Sequence, residues 1–163
     1  MFNKIISGHA VKNIALIFAM IFSATSVYSQ QGVGKQLAQD AMALVGYLEL
    51  SNIGSRDLDC KGTPFEITNV NFVIETDIRD LLIKIAAIDN KIKSNEIDEM
   101  VAALKQIPMA SKDGKYALQA AYEKAKKDNF SVYGKQGGCA SLSASFRTVV
   151  QQRKLSIKNF INK

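Results

Sequence analysis

The sequence predicts an all-α fold, a compact bundle of four to five helices tied by one disulfide. Apolar residues recur at spacings of three and four along most of the chain, the period of helices that bury one face. Short segments rich in Gly, Asp and Pro separate these stretches and predict loops. The chain contains two cysteines, Cys60 and Cys139, and these predict the disulfide.

Residues 1–29 have the features of a cleaved secretory signal peptide. Lys4 and Lys12 give a positive start, residues 14–24 form a short apolar run, and cleavage is expected after Ser29. The apolar run is too short to cross a bilayer, which takes about 20 residues. We therefore expect a periplasmic or secreted protein with no integral membrane segment after cleavage.

The remaining residues, 30–163, predict a single helical domain, because their number is ordinary for one domain. The one histidine of the chain, His9, lies in the segment that is removed. A Ser-His-Asp triad, a Cys–His pair and a histidine-containing zinc site are thereby excluded. We predict a protein that is not an enzyme, with no catalytic residues, metal site or cofactor.

Cys60 and Cys139 predict the disulfide. An even number of cysteines in an exported protein is typical of a disulfide-bonded fold, and two cysteines allow one pairing. The bridge closes a loop of about 80 residues, worth at most about 4 to 5 kcal/mol through the entropy of the unfolded chain.

The first two helices are predicted over residues 34–51 and 69–92, with a loop over residues 52–64 between them. The second helix is the most apolar segment after residue 30, so we expect it at the centre of the bundle. The start of this helix is open, because residues 67–76 are rich in β-branched and aromatic side chains and also fit a short strand.

Three further helices are predicted in the second half of the chain. The third begins with a cap at Ser94 or Asn95 and ends at Pro108. The fourth covers residues 112–127, and lysines crowd its last turn, where the helix dipole is negative. The last helix covers residues 140–161.

A glycine-rich loop is predicted over residues 128–138. It contains Phe130, Tyr133 and Lys135, which we predict to be the partner-binding residues. Aromatic side chains beside a cation on a loop are typical of recognition surfaces. The alternative, left open by the sequence, is that Phe130 and Tyr133 fold onto the helices and cover the core.

Asp57 and Asp59 begin a segment that partly matches a calcium-binding loop. The acids stand at the first and third positions and Gly62 at the sixth. However, Lys61 occupies the fifth position, and Thr68 stands where the bidentate glutamate is needed. The sequence therefore favours ordinary loop carboxylates over a calcium site.

A second acidic group, Glu75, Asp77 and Asp80, lies in the predicted second helix. Glycoside hydrolases use a pair of carboxylates, so this group could be read as a catalytic site for sugar hydrolysis. Arg79 and Lys84 interrupt the acids, a pattern that is more typical of a solvated helix face.

Charge divides the mature chain into two halves. Residues 30–99 carry 7 basic and 12 acidic side chains, whereas residues 100–163 carry 12 basic and 3 acidic ones. Either the basic half presents a surface to an acidic partner, or the halves pack together and their charges offset.

These features favour a small exported helical binding protein. Its partner is another protein, and an inhibitor or immunity protein against a cell-wall-degrading enzyme is the form we consider first. The alternatives are an accessory or structural subunit of an envelope apparatus and an enzyme that works through carboxylates, which needs a cleft lined by acids with raised pKa values. No nucleic-acid-binding motif is present, so we expect no nucleic-acid partner.

Overall fold

The computed structural model describes residues 30–88, 93–109 and 112–163, and these residues form four helices without a strand. The predicted all-α bundle and the predicted disulfide are confirmed. The predicted signal peptide lies outside the described residues. The helices are α1 (Gln30–Arg56), α2 (Val70–Val73, continuing through Ile74–Ile78 and Arg79–Ile88), α3 (Ser94–Met109) and α4 (Lys112–Ile161).

Helix α1 extends beyond its predicted bounds at both ends. Residues 52–56, predicted as loop, form its last turn, and the loop covers residues 57–69 instead. Gly54 lies within this last turn, at a point where the following loop packs closely against the helix. A β carbon at Gly54 would lie 2.6 Å from a ring carbon of Phe65. Gly54 therefore permits a close contact and does not mark a loop.

Helix α2 settles the open choice for residues 67–76, because the chain is helical from Val70 onward and forms no strand there. Asn69 caps the helix, and its side chain accepts a hydrogen bond from the backbone N–H of Phe72 at 3.2 Å. The turn Ile74–Ile78 is a π-helix. Next to it, the hydroxyl of Thr76 donates to the carbonyl oxygen of Phe72 at 2.9 Å, a contact that bends helices.

Helix α3 begins at Ser94, close to the predicted start. The cap differs from the prediction, because the Glu96 carboxylate accepts a hydrogen bond from the backbone N–H of Lys93 at 2.9 Å. This is half of a capping box, in which a glutamate in the first turn reaches back to the residue before the helix. The helix ends at Met109, one residue after Pro108.

The predicted loop over residues 128–138 is wrong, because the chain there is helical on both sides of a single corner. Gly134 makes the corner with a φ of 69° and a ψ of 179°, a conformation that is essentially restricted to glycine. We call residues 112–133 the first arm of α4 and residues 135–161 the second arm.

The two arms fold back against each other. The ring centroids of Tyr122 and Phe146 are 6.4 Å apart, whereas a straight helix would separate these residues by roughly 36 Å. Gly138 marks the closest approach, since a β carbon there would lie 2.5 Å from the Phe130 ring and 3.1 Å from the backbone of Asn129. Gly138 therefore serves close packing, whereas Gly134 makes the corner.

Buried side chains form two clusters. The larger lies among α1, α2, α3 and the far end of the second arm, and its completely buried members include Leu44, Leu48, Ile74, Val150 and Ile157. The smaller surrounds the disulfide and consists of Cys60, Phe65, Tyr122, Cys139, Leu142 and Phe146. Phe146 contacts the rings of Tyr47 and Phe65 as well as that of Tyr122.

Candidate functional site

The start of the 57–69 loop is bound to the first arm by a partly buried ion cluster. The ammonium group of Lys126 lies 2.7 Å from the Asp57 carboxylate, 3.2 Å from that of Glu123 and 3.7 Å from that of Asp59. A lysine therefore supplies the cation for the acids that resembled a calcium loop. Within the described ranges, no group of three or more His, Cys, Asp or Glu side chains converges as a metal site would.

Protonation equilibria at this cluster reflect competition between burial and pairing. Burial acts to raise the pKa of Asp57, but hydrogen bonds from Lys126 and from the Asp59 backbone outweigh it and hold the pKa below its usual value. Burial likewise opposes the charge of Lys126, yet Asp57 and Glu123 raise the pKa of its ammonium group. Burial, and then the neighbouring Asp57 carboxylate, raise the pKa of the Tyr122 hydroxyl.

The disulfide fixes the loop and the second arm beside this cluster. Cys60 and Cys139 are both buried, and their Cα atoms are 5.4 Å apart. Lys135, at the start of the second arm, lies 2.6 Å from the Asp59 carboxylate. The bridge and this ion pair thus hold the corner of α4 against the loop.

The three predicted partner-binding residues lie on this corner, in different environments. Phe130 is partly buried and packs against the disulfide cluster, as the alternative from the sequence described. Lys135 is exposed but is paired with Asp59. Tyr133 is 61% exposed, and its neighbour Val132 is 68% exposed. The exposed apolar part of the corner is therefore Val132 and Tyr133, whereas Phe130 belongs to the packing around the disulfide.

A groove opens on another part of the surface, with a volume of about 780 Å³. Its floor is the last two turns of α1, one wall is the loop before α2, and the other wall is the first arm of α4. Asn52 fixes the loop wall to α1, because its side chain donates to the Thr68 carbonyl oxygen at 2.9 Å and accepts from the Thr68 N–H at 3.1 Å.

Glu49 contributes a carboxylate to the groove. It is 6% exposed, and burial raises its pKa although the guanidinium group of Arg56 acts in the opposite direction. Sequence reasoning missed this residue. The available signal was position, because Glu49 continues the i, i+4 row of Ala41 and Val45 on the apolar face of α1.

Of the three acids singled out in α2, Glu75 contacts another helix. Glu75 is paired with Arg79 at 3.2 Å and with Lys105 of α3. Arg79 also reaches Asp98 of α3, at 2.7 Å. Glu75 thus helps to join α2 to α3, whereas Asp77 is partly exposed and Asp80 is exposed, and neither forms an ion pair with another described residue.

Asp40 is the most buried acid of the described chain, and it links α1 to the second arm. Its carboxylate accepts hydrogen bonds from Gln36 at 2.9 Å, from Ser156 at 2.6 Å and from Arg153. Because this carboxylate is fully partnered inside the bundle, it is a structural group.

Comparison with known protein families, curated proteins and solved structures finds no match to this chain. No helix in the described ranges is both long and apolar enough to span a membrane.

Proposed function

We propose that the protein is an exported helical binding protein whose partner is another protein. An inhibitor or immunity protein against a cell-wall-degrading enzyme is the specific form that we propose. The observation that carries the proposal is the corner of α4, where Val132 and Tyr133 expose adjacent apolar surface on a fixed frame. The disulfide and the Lys135–Asp59 pair hold that frame, and a pre-formed surface loses little entropy on binding.

The proposal is tested by a variant that removes the exposed corner surface. We expect Val132→Ala/Tyr133→Ala to lose a partner that the unaltered protein retains from envelope extract, at an unchanged melting temperature. Leu155→Ala is the matched control, since Leu155 is 60% exposed on the second arm, roughly 30 Å along the helix from the corner. Phe130→Ala is unsuitable here, because Phe130 packs against the disulfide cluster.

The inhibitor form predicts a specific activity for the retained partner. That partner should degrade purified cell wall, and adding this protein should stop the degradation, whereas the Val132→Ala/Tyr133→Ala variant should not. Equal retention by the corner variant would contradict the binding surface, and a partner without wall-degrading activity would contradict the inhibitor form.

The proposed export is tested separately by amino-terminal sequencing. The sequence of the exported protein should begin at Gln30.

The groove favours a second candidate function, carboxylate-dependent catalysis, through the raised pKa of Glu49. Two-carboxylate glycoside hydrolysis needs a second acid at about 5 to 9.5 Å. Among the described residues that line the groove, Glu49 is the one acid. This composition supports recognition of a charged ligand better than hydrolysis, and turnover of wall fragments by the purified protein would reverse that preference.

A further inference from the structure

We infer that the groove beside α1 binds a short zwitterionic peptide, with the ligand's ammonium group on Glu49 and its carboxylate on Arg56 and Lys115. None of these residues lies at the corner of α4. The inference therefore goes beyond the proposed protein-binding function and does not rest on it.

Glu49 provides the anionic end of the site. Although it is only 6% exposed, it lines the groove, and its carboxylate accepts no hydrogen bond from the described residues. Asp40 differs from Glu49 in this respect, because its carboxylate has three side-chain donors. A buried carboxylate without donors is unfavourable, and a ligand ammonium group supplies the missing charge-assisted hydrogen bonds.

Arg56 and Lys115 provide the cationic end. Both line the groove from exposed positions, Arg56 at the end of the floor and Lys115 on the first arm. Neither forms an ion pair within the described chain, unlike Lys126 and Lys135 of the corner. A carboxylate can therefore pair with them without displacing a protein group.

The two ends together determine the charge of the ligand. A ligand with a positive charge alone would be repelled by the two cations, and one with a negative charge alone would leave the Glu49 carboxylate without a donor. A molecule that carries both an ammonium group and a carboxylate satisfies all three side chains. Amino acids and short peptides with free termini have this chemistry.

The size and walls of the groove favour a peptide over a single amino acid. The volume of about 780 Å³ lies within the usual range of ligand pockets and corresponds to about 26 water molecules at ~30 Å³ each, which is room enough for a tripeptide. Ile53, Ile67 and Leu118 supply apolar surface between the charged groups. Ile67 is 77% exposed, so a ligand in the groove would bury it.

The test uses trialanine as the probe and the full chain with its disulfide intact. Titration is followed by the amide resonances of the groove in NMR spectra and by calorimetry, up to roughly 10 mM peptide. We expect saturable shifts at the groove. Trialanine with an acetylated amino terminus and trialanine with an amidated carboxyl terminus should each bind about tenfold more weakly, because each loses one charged contact.

Protein variants separate the two ends of the site. Glu49→Gln should abolish the preference for the free amino terminus, and Lys115→Gln should reduce the preference for the free carboxyl terminus. Lys124→Gln is the control, since Lys124 lies on the same arm outside the groove, paired with Asp128. Absence of saturable binding, equal binding of the acetylated peptide, or unchanged binding by Glu49→Gln would each overturn the inference, and none of these results bears on the corner.

Discussion

At the scale of single residues, one partly buried acid and one buried acid show how partners decide what a carboxylate does. Asp57 is surrounded by donors, so its charge is stabilised and it binds the loop to α4. Glu49 has no donor in the described chain, and burial dominates its behaviour. Sequence reasoning singled out Asp57 for its calcium-like spacing and overlooked Glu49. The distinction depends on Lys126, which is 69 positions away from Asp57 along the chain and has no sequence pattern that links it to the loop.

The ion cluster predicts a large effect of Lys126→Met. The Asp57 and Lys126 side chains are 11% and 13% exposed, so loss of the lysine leaves a poorly solvated carboxylate and should destabilise the protein by about 2 kcal/mol. Lys124→Met is the control, because it removes an exposed pair with Asp128 and should leave stability nearly unchanged. Urea unfolding measures both, and equal effects would refute the assignment.

The same cluster fixes the sign of the pH dependence. Because the folded-state pKa of Asp57 is lowered, its contribution is present above the usual carboxyl pKa and is lost as the pH falls through the folded-state value. The difference between the unaltered protein and Lys126→Met should therefore shrink below about pH 4.

Glu49 predicts the opposite dependence on pH. Its raised pKa means that the folded protein holds a proton more tightly than the unfolded chain, so stability falls as the pH rises above the usual glutamate range. Glu49→Gln removes this charge and should stabilise the protein at pH 7 by roughly 1 kcal/mol, with a smaller difference at pH 4. Thermal unfolding at the two pH values measures the effect, and a destabilised variant at pH 7 would show that the carboxylate has a partner.

At the scale of elements, apolar periodicity predicted where helices lie but not how they turn. Helices α1, α2 and α3 form where the apolar periodicity predicts helices, and their buried residues make the larger core. The segment 128–138 is helical, although its glycine content predicts a loop. Only Gly134 needs a backbone conformation that other residues avoid, whereas Gly138 is small so that the arms can approach. Sequence alone does not distinguish these two uses, since the second depends on contact with Phe130.

The corner predicts different effects for two glycine substitutions. Gly134→Ala forces a side chain into a conformation with a φ of 69° and should destabilise the protein by about 1 to 3 kcal/mol. Gly46→Ala lies in the middle of α1 with nothing within 4 Å of the added carbon, so it should stabilise by about 0.5 to 1 kcal/mol. Denaturant unfolding compares them, and a neutral Gly134→Ala would rule out the strained corner.

At the scale of the whole molecule, the charge asymmetry of the sequence is used inside the fold. Acids of residues 30–99 pair with bases of residues 100–163 at several points, which supports the alternative that the two halves offset each other. These pairs are Asp40–Arg153, Asp57–Lys126, Asp59–Lys135, Glu66–Lys154 and Glu75–Lys105. The groove could not be predicted from the sequence, because three segments that are separated along the chain form its floor and walls.

The disulfide predicts the largest change in stability of the molecule. Cys60 and Cys139 are 79 positions apart, so Cys60→Ser/Cys139→Ser releases a long loop in the unfolded chain, and this entropy is worth at most about 4 to 5 kcal/mol. Because the effect acts through the unfolded state, the urea m-value should rise while the helical circular dichroism of the folded protein stays the same. Both cysteines are buried in the smaller cluster, so part of the loss comes from two poorly solvated serine hydroxyls. Cys60→Ala/Cys139→Ala lacks those hydroxyls and separates the two contributions. A loss below about 1 kcal/mol in both variants would mean that the packing of α4 against the loop holds the corner without the bridge.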